Sequence, residues 1–76
     1  MTKTEQMINV LESAQMMLFF ADKKEVLNGL YNYCCVQHDD IKHKGVYLFC
    51  QSEFTFLHPS LAINNAIEGV KKHGVH

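Results

Sequence analysis

The sequence predicts a single α+β domain over residues 1–76, with the element order α-α-β-β-α and a β-hairpin packed against three helices. This fold class rests on three observations. Apolar residues recur at spacings of three and four through most of the first half of the chain, which is the period of a helix. Aromatic and β-branched residues dominate residues 46–57, as in a pair of strands, and the helical period returns after Pro59.

The first helix is predicted to begin at Thr2 and to run to about residue 21. Thr2 and Glu5 have the spacing of a capping box, in which each side chain satisfies a backbone amide of the other residue. A helix over this range buries one stripe of apolar residues, composed of Met7, Val10, Leu11, Ala14, Met17, Leu18 and Ala21.

Three further apolar residues of this helix, Met16, Phe19 and Phe20, lie beside or opposite the buried stripe. The apolar band therefore widens toward the C-terminal end of the helix. A domain of this length buries only about 60% of the surface of its unfolded chain. Either the rest of the chain or a second molecule must cover these residues.

A second helix is predicted to begin near Lys23, capped by Asp22. If the first helix continued, its buried stripe would next fall on Lys24, Glu25 and Asn28. The apolar residues stand elsewhere, which indicates a new helix with a new orientation. The buried positions of this second helix are Val26, Leu27, Leu30, Tyr31 and Cys34.

The second helix is expected to end by His38, and the polar residues 39–45 form the connection to a hairpin. Residues 46–50 and 53–57 are the two predicted strands, joined by a turn at 51–52. The first strand is apolar on both faces, with Val46, Leu48 and Cys50 on one and Tyr47 and Phe49 on the other. One face therefore requires a covering helix or a partner.

The last helix is predicted to begin at Pro59, because proline lacks the amide that the first turn leaves unpaired. Its buried stripe is Ile63, Ala66, Ile67 and Val70, with Leu61 near the start. Three basic residues, Lys71, Lys72 and His73, favour the negative end of a helix dipole, and Gly74 suits the cap that follows.

Composition excludes several function classes. Seven basic residues, all of them lysine, oppose eight acidic ones, so the net charge is −1 and no strong field favours nucleic acid or an anionic membrane. No apolar run is long enough to cross a bilayer, and no leader pattern is visible. Three cysteines, two of them adjacent, make a poor disulfide framework. We therefore expect a cytoplasmic protein.

No motif of defined catalytic chemistry is present, so the sequence predicts neither an enzyme nor a cofactor. The leading hypothesis is a small protein-interaction or regulatory module of the inhibitor or adaptor type, which binds another protein and forms a homodimer. Aromatic and methionine side chains are enriched in the cores of such interfaces. The predicted partner-binding residues are Met16, Phe19, Phe20, Tyr47 and Phe49.

Two alternatives remain open from the sequence. Six of the lysines form close pairs at element ends, and their convergence would create a phosphate or nucleic-acid surface; these pairs are Lys23 with Lys24, Lys42 with Lys44, and Lys71 with Lys72. Sulfur and imidazole groups could instead hold a zinc ion, or be buried cysteines and surface histidines. This second set is Cys34, Cys35, His38, His43, Cys50 and His58.

Overall fold

The computed structural model describes residues 2–33 and 53–74, and these form four helices and no strand. They are α1 (Lys3–Met17), α2 (Lys23–Asn32), α3 (Glu53–Leu57) and α4 (Pro59–His73). With Tyr33, which follows α2 and is also helical, these helices account for 85% of the described residues. The α+β class predicted from the sequence is therefore wrong for this part of the chain.

Helices α1 and α4 form an antiparallel pair that supplies most of the core. At one end the Gln15 side chain of α1 bonds the backbone of Ser60 in α4. At the other end, Gly74, which follows α4, lies beside Thr4 in the first turn of α1. A β-carbon added to Gly74 would be 3.5 Å from Oγ1 of Thr4. The buried hydrophobic residues are Met7, Leu11 and Ala14 of α1, Leu30 of α2, and Ala62, Ile63, Ala66, Ile67 and Val70 of α4.

The predicted second strand, residues 53–57, is the helix α3. Its apolar side chains are only partly covered, since Phe54 is 42% and Phe56 45% exposed, whereas the polar Thr55 is buried at 3%. Five residues in which apolar and polar side chains alternate can form a short helix as well as a strand. The period of so short a segment does not distinguish the two structures. The predicted first strand and its turn, residues 46–52, lie outside the described residues.

Helices α3 and α4 are separated by His58 alone. The residue before a proline avoids the helical region because of a clash with the proline ring, and His58 accordingly has φ −129° and ψ 63°. The His58 amide still donates to the carbonyl of Phe54 at 2.8 Å, which closes the last turn of α3. Pro59 occupies the first turn of α4, as the sequence predicts.

The helix boundaries follow the capping residues. Oγ1 of Thr2 accepts from the amide of Glu5 at 3.1 Å, and the Glu5 carboxylate accepts from the Thr2 amide, which confirms the capping box. Oδ1 of Asp22 accepts from the amide of Lys24 at 3.4 Å and caps α2. Gly74 has φ 73°, a left-handed value that favours glycine, and its amide donates to Val70.

The first helix is shorter than predicted. It ends at Met17, and the following residues form tight turns in which the amide of Phe19 donates to Met16 and that of Phe20 to Met17. These bonds span three residues and tighten the helix end. Phe19 and Phe20 therefore lie in the connection between α1 and α2, not within α1.

Candidate functional site

The most exposed apolar side chains of the described residues include one in the last turn of α1 and two in the connection that follows it. Met16 is 62% exposed, Phe19 85% and Phe20 79%. We call these three residues the apolar end patch. The rings of Phe19 and Phe20 pack edge to face, with centroids 6.5 Å apart and an interplanar angle of 65°.

The exposure of Met16 follows from the phase of α1. Met7 is fully buried. Met16 follows it by nine residues, and at about 100° of rotation per residue it lies on the opposite side of the helix. Phe19 and Phe20 come after the helix has ended, in turns that carry them past the core. The end patch is thus a consequence of where α1 stops and which face it buries.

A groove of about 390 Å³ runs beside the end patch, between α1 and the first half of α4. Met16 and Phe19 form its apolar wall, and the largely buried Ile67 lies on the α4 side. Phe20 does not line this groove. The remaining lining residues are polar: Glu12, Gln15, Ser60 and Asn64.

Three of these polar residues bond to one another across the groove. Nε2 of Gln15 donates to the carbonyl of Ser60 at 3.1 Å and to Oδ1 of Asn64 at 2.6 Å. Oγ of Ser60 donates back to Oε1 of Gln15 at 3.0 Å. This polar clasp fixes the register of α1 against α4, and the Gln15 amide has partners for both its donor and its acceptor atoms.

The other two predicted partner-binding residues, Tyr47 and Phe49, lie outside the described residues. The groove residues of α4 were missed by the sequence analysis. No local signal marks Ser60 or Asn64, because their place in the groove arises only from the antiparallel pairing of α1 with α4. Phe54 and Phe56 were missed as exposed residues because they were assigned to a strand.

A second groove of about 360 Å³ lies between α2 and α3. The ammonium of Lys23 stands 4.3 Å from the ring centroid of Phe56 at this junction, within the range of a cation–π contact. The residues that line this second groove are Lys24, Leu27, Asn28, Tyr31, Glu53, Thr55 and Phe56. This groove joins α2 to α3, and five of its seven lining residues are polar or charged.

The lysine pairs that the structure describes do not form one patch. Lys23 contacts α3 near the start of α4, whereas Lys71 and Lys72 occupy the last turn of α4. The 15 residues of α4 span about 22 Å between these ends. The third predicted pair, Lys42 with Lys44, lies outside the described residues.

Within residues 2–33 and 53–74 no group of three histidine, cysteine, aspartate or glutamate side chains is placed to hold a metal ion. His58 is exposed and packs against the ring of Phe54, with centroids 5.3 Å apart. The other residues of the zinc hypothesis lie outside the described ranges; they are Cys34, Cys35, His38, His43 and Cys50.

In the described ranges the chain is a helical protein with eight large apolar side chains exposed, three of which form the end patch. No helix in those ranges is both long and apolar enough to cross a membrane. No protein-family model matches the chain, and no curated protein or solved structure matches it at a stringent level of significance.

Proposed function

We propose that this chain is a small protein-interaction module of the inhibitor or adaptor type, which binds a protein partner through the apolar end patch. The observation that carries this proposal is the exposure of Phe19 and Phe20, at 85% and 79%. Isolated exposed apolar residues are normal on a protein surface, but contiguous ones beside a groove are typical of interaction sites.

The size of the patch supports binding of a macromolecule. Taking about 200 Å² for each fully exposed side chain, the end patch presents roughly 450 Å² to solvent. At about 25 cal/mol per Å², covering it contributes on the order of 11 kcal/mol of gross hydrophobic free energy. Association itself costs about 4 to 15 kcal/mol, so the patch supports binding only together with the polar contacts around it.

We place this activity in the cytoplasm. The composition supports that compartment, because three cysteines with two of them adjacent are not arranged as the disulfide framework of a small secreted domain. Binding without catalysis is the economical proposal, since the sequence holds no motif of defined catalytic chemistry.

Site-specific photo-crosslinking tests the proposal. With benzoylphenylalanine at position 19, irradiation of cells should give a covalent protein adduct, and mass spectrometry should locate the linkage at that residue. The same probe at Asn65, an exposed residue on the outer side of α4, is the matched control and should give at least about tenfold less adduct. Equal yields at the two positions, or none at position 19, would contradict the proposed function.

A further inference from the structure

The end patch and the groove beside it place a protrusion and a recess on the same side of the fold. Phe20 is 79% exposed and does not line the groove between α1 and α4. Its neighbour Phe19, whose ring touches it edge to face, does line that groove. A free aromatic ring therefore stands directly beside an open groove.

The lining of the groove favours an apolar occupant. Met16, Phe19 and Ile67 offer apolar contacts. The amide of Gln15 is already bonded to Ser60 and Asn64, so a ring laid over the clasp leaves that amide with its partners. The carboxylate of Glu12 is exposed and stays at the rim in water.

We propose that the groove is filled by Phe20 of a second copy of this chain, in a two-fold symmetric exchange. This inference rests on the proposed function and names its partner. In a two-fold interface the same surface serves both copies, so a protrusion and a recess must lie side by side on one face. The end patch and the adjacent groove meet that requirement, because each copy inserts its Phe20 ring into the groove of the other copy and receives the other copy's ring in its own.

The area and the charge of the chain are compatible with such a pair. A standard interface buries about 800 Å² on each partner, of which about 57% is apolar, or roughly 450 Å². The end patch presents about that amount, as estimated above from its exposed fractions. Each copy has a net charge of −1, so the electrostatic repulsion between two copies is weak.

Two complementary variants of the full chain test the exchange. Phe20→Ser removes the ring and keeps the groove. Asn64→Arg keeps the ring and obstructs the groove, because a larger, charged side chain replaces one of the residues that line it. In a dimer of either variant alone, no Phe20 ring can enter an open groove. A mixture of the two restores one such pair, with Phe20 of the Asn64→Arg chain entering the groove of the Phe20→Ser chain.

Sedimentation equilibrium at about 10 to 100 µM is the measurement. The unaltered chain should be a dimer. Each variant should raise the dimer dissociation constant by at least about 30-fold for each of the two ring contacts that its symmetric dimer loses, or on the order of 1,000-fold in all. An equimolar mixture should regain heterodimer, identified by native mass spectrometry with one chain isotopically labelled. The controls Asn65→Arg and Leu57→Ser alter exposed residues that do not line the groove and should remain dimeric.

Three results would overturn the exchange: a monomeric unaltered chain at about 100 µM, a Phe20→Ser chain that dimerises as well as the unaltered one, or a mixture that gains no heterodimer. Recovery in the mixture also shows that both variants are folded. The proposed function fails separately. A monomeric chain whose position 19 still crosslinks to a different protein keeps the binding role and loses the self-pairing, whereas absence of any adduct removes the binding role.

Discussion

Replacing Leu11 with Ala should lower the free energy of unfolding by about 2 to 5 kcal/mol. Leu11 is fully buried in the cluster that α1 forms with α4, and its neighbours there include Met7 and Ile63. Truncation removes apolar surface from the core and leaves a cavity that packed helices fill only in part. Urea denaturation followed by far-UV circular dichroism measures the change.

The matched control is Leu61→Ala, the same truncation at a residue of α4 that is 51% exposed. It should cost less than about 1 kcal/mol, since half of the side chain is already in water and no closed cavity forms. Equal losses for Leu11→Ala and Leu61→Ala would mean that the buried face of α1 is assigned wrongly.

Replacing Ala66 with Glu should unfold the protein at room temperature. Ala66 is 1% exposed on the face of α4 that packs in the core with α1. A glutamate there is too large for the space, which costs about 1 to 3 kcal/mol. It also places a carboxylate among apolar side chains, which costs several kcal/mol more. A domain's whole stability is only about 5 to 15 kcal/mol. Far-UV circular dichroism should show the loss of helix.

Asn65→Glu makes the same residue one position earlier, on the exposed side of α4. It should change the free energy of unfolding by less than about 0.5 kcal/mol. An Ala66→Glu chain that unfolds cooperatively at the same urea concentration as Asn65→Glu would contradict the packing of α4 described above.

Local signals in the sequence predict three of the four helices. The capping box at Thr2, the cap at Asp22 and the pair of Pro59 and Gly74 each depend on neighbours within a few residues, and the structure confirms them. The buried stripe of α4 is confirmed at Ile63, Ala66, Ile67 and Val70, because a single helix face fixes it, whereas Leu61 near its start is 51% exposed. Such features need no knowledge of the tertiary arrangement.

Helix α3 was not predictable from its own residues. Residues 53–57 are few, aromatic and alternating, and such a run is as compatible with a strand as with one turn of helix. The helical conformation of these residues depends on the tertiary contacts of α3. These contacts include the one between Lys23, at the start of α2, and the ring of Phe56. Tertiary contacts override local preference most easily in short segments.

The sequence located part of the candidate site and missed the rest. The helical phase indicates that Met16, Phe19 and Phe20 lie off the main stripe, and all three are exposed. Met17 was predicted on the stripe and is 49% exposed, so the prediction is wrong for that residue. The groove beside them depends on residues about 45 positions apart, such as Gln15 and Ser60. One helix pattern carries no information on which other helix will lie against it.

The end patch is the surface on which the proposed function depends, and hydroxyl-radical footprinting of a dilute sample, at about 1 µM, tests it most directly. Because their side chains are mostly in water, Phe19 and Phe20 should be oxidised at least about tenfold faster than the buried Leu11, once each rate is divided by that of the same residue in the unfolded chain. Oxidation of both rings as slow as that of Leu11 in the monomeric chain would show that the protein covers them itself, and would contradict the account.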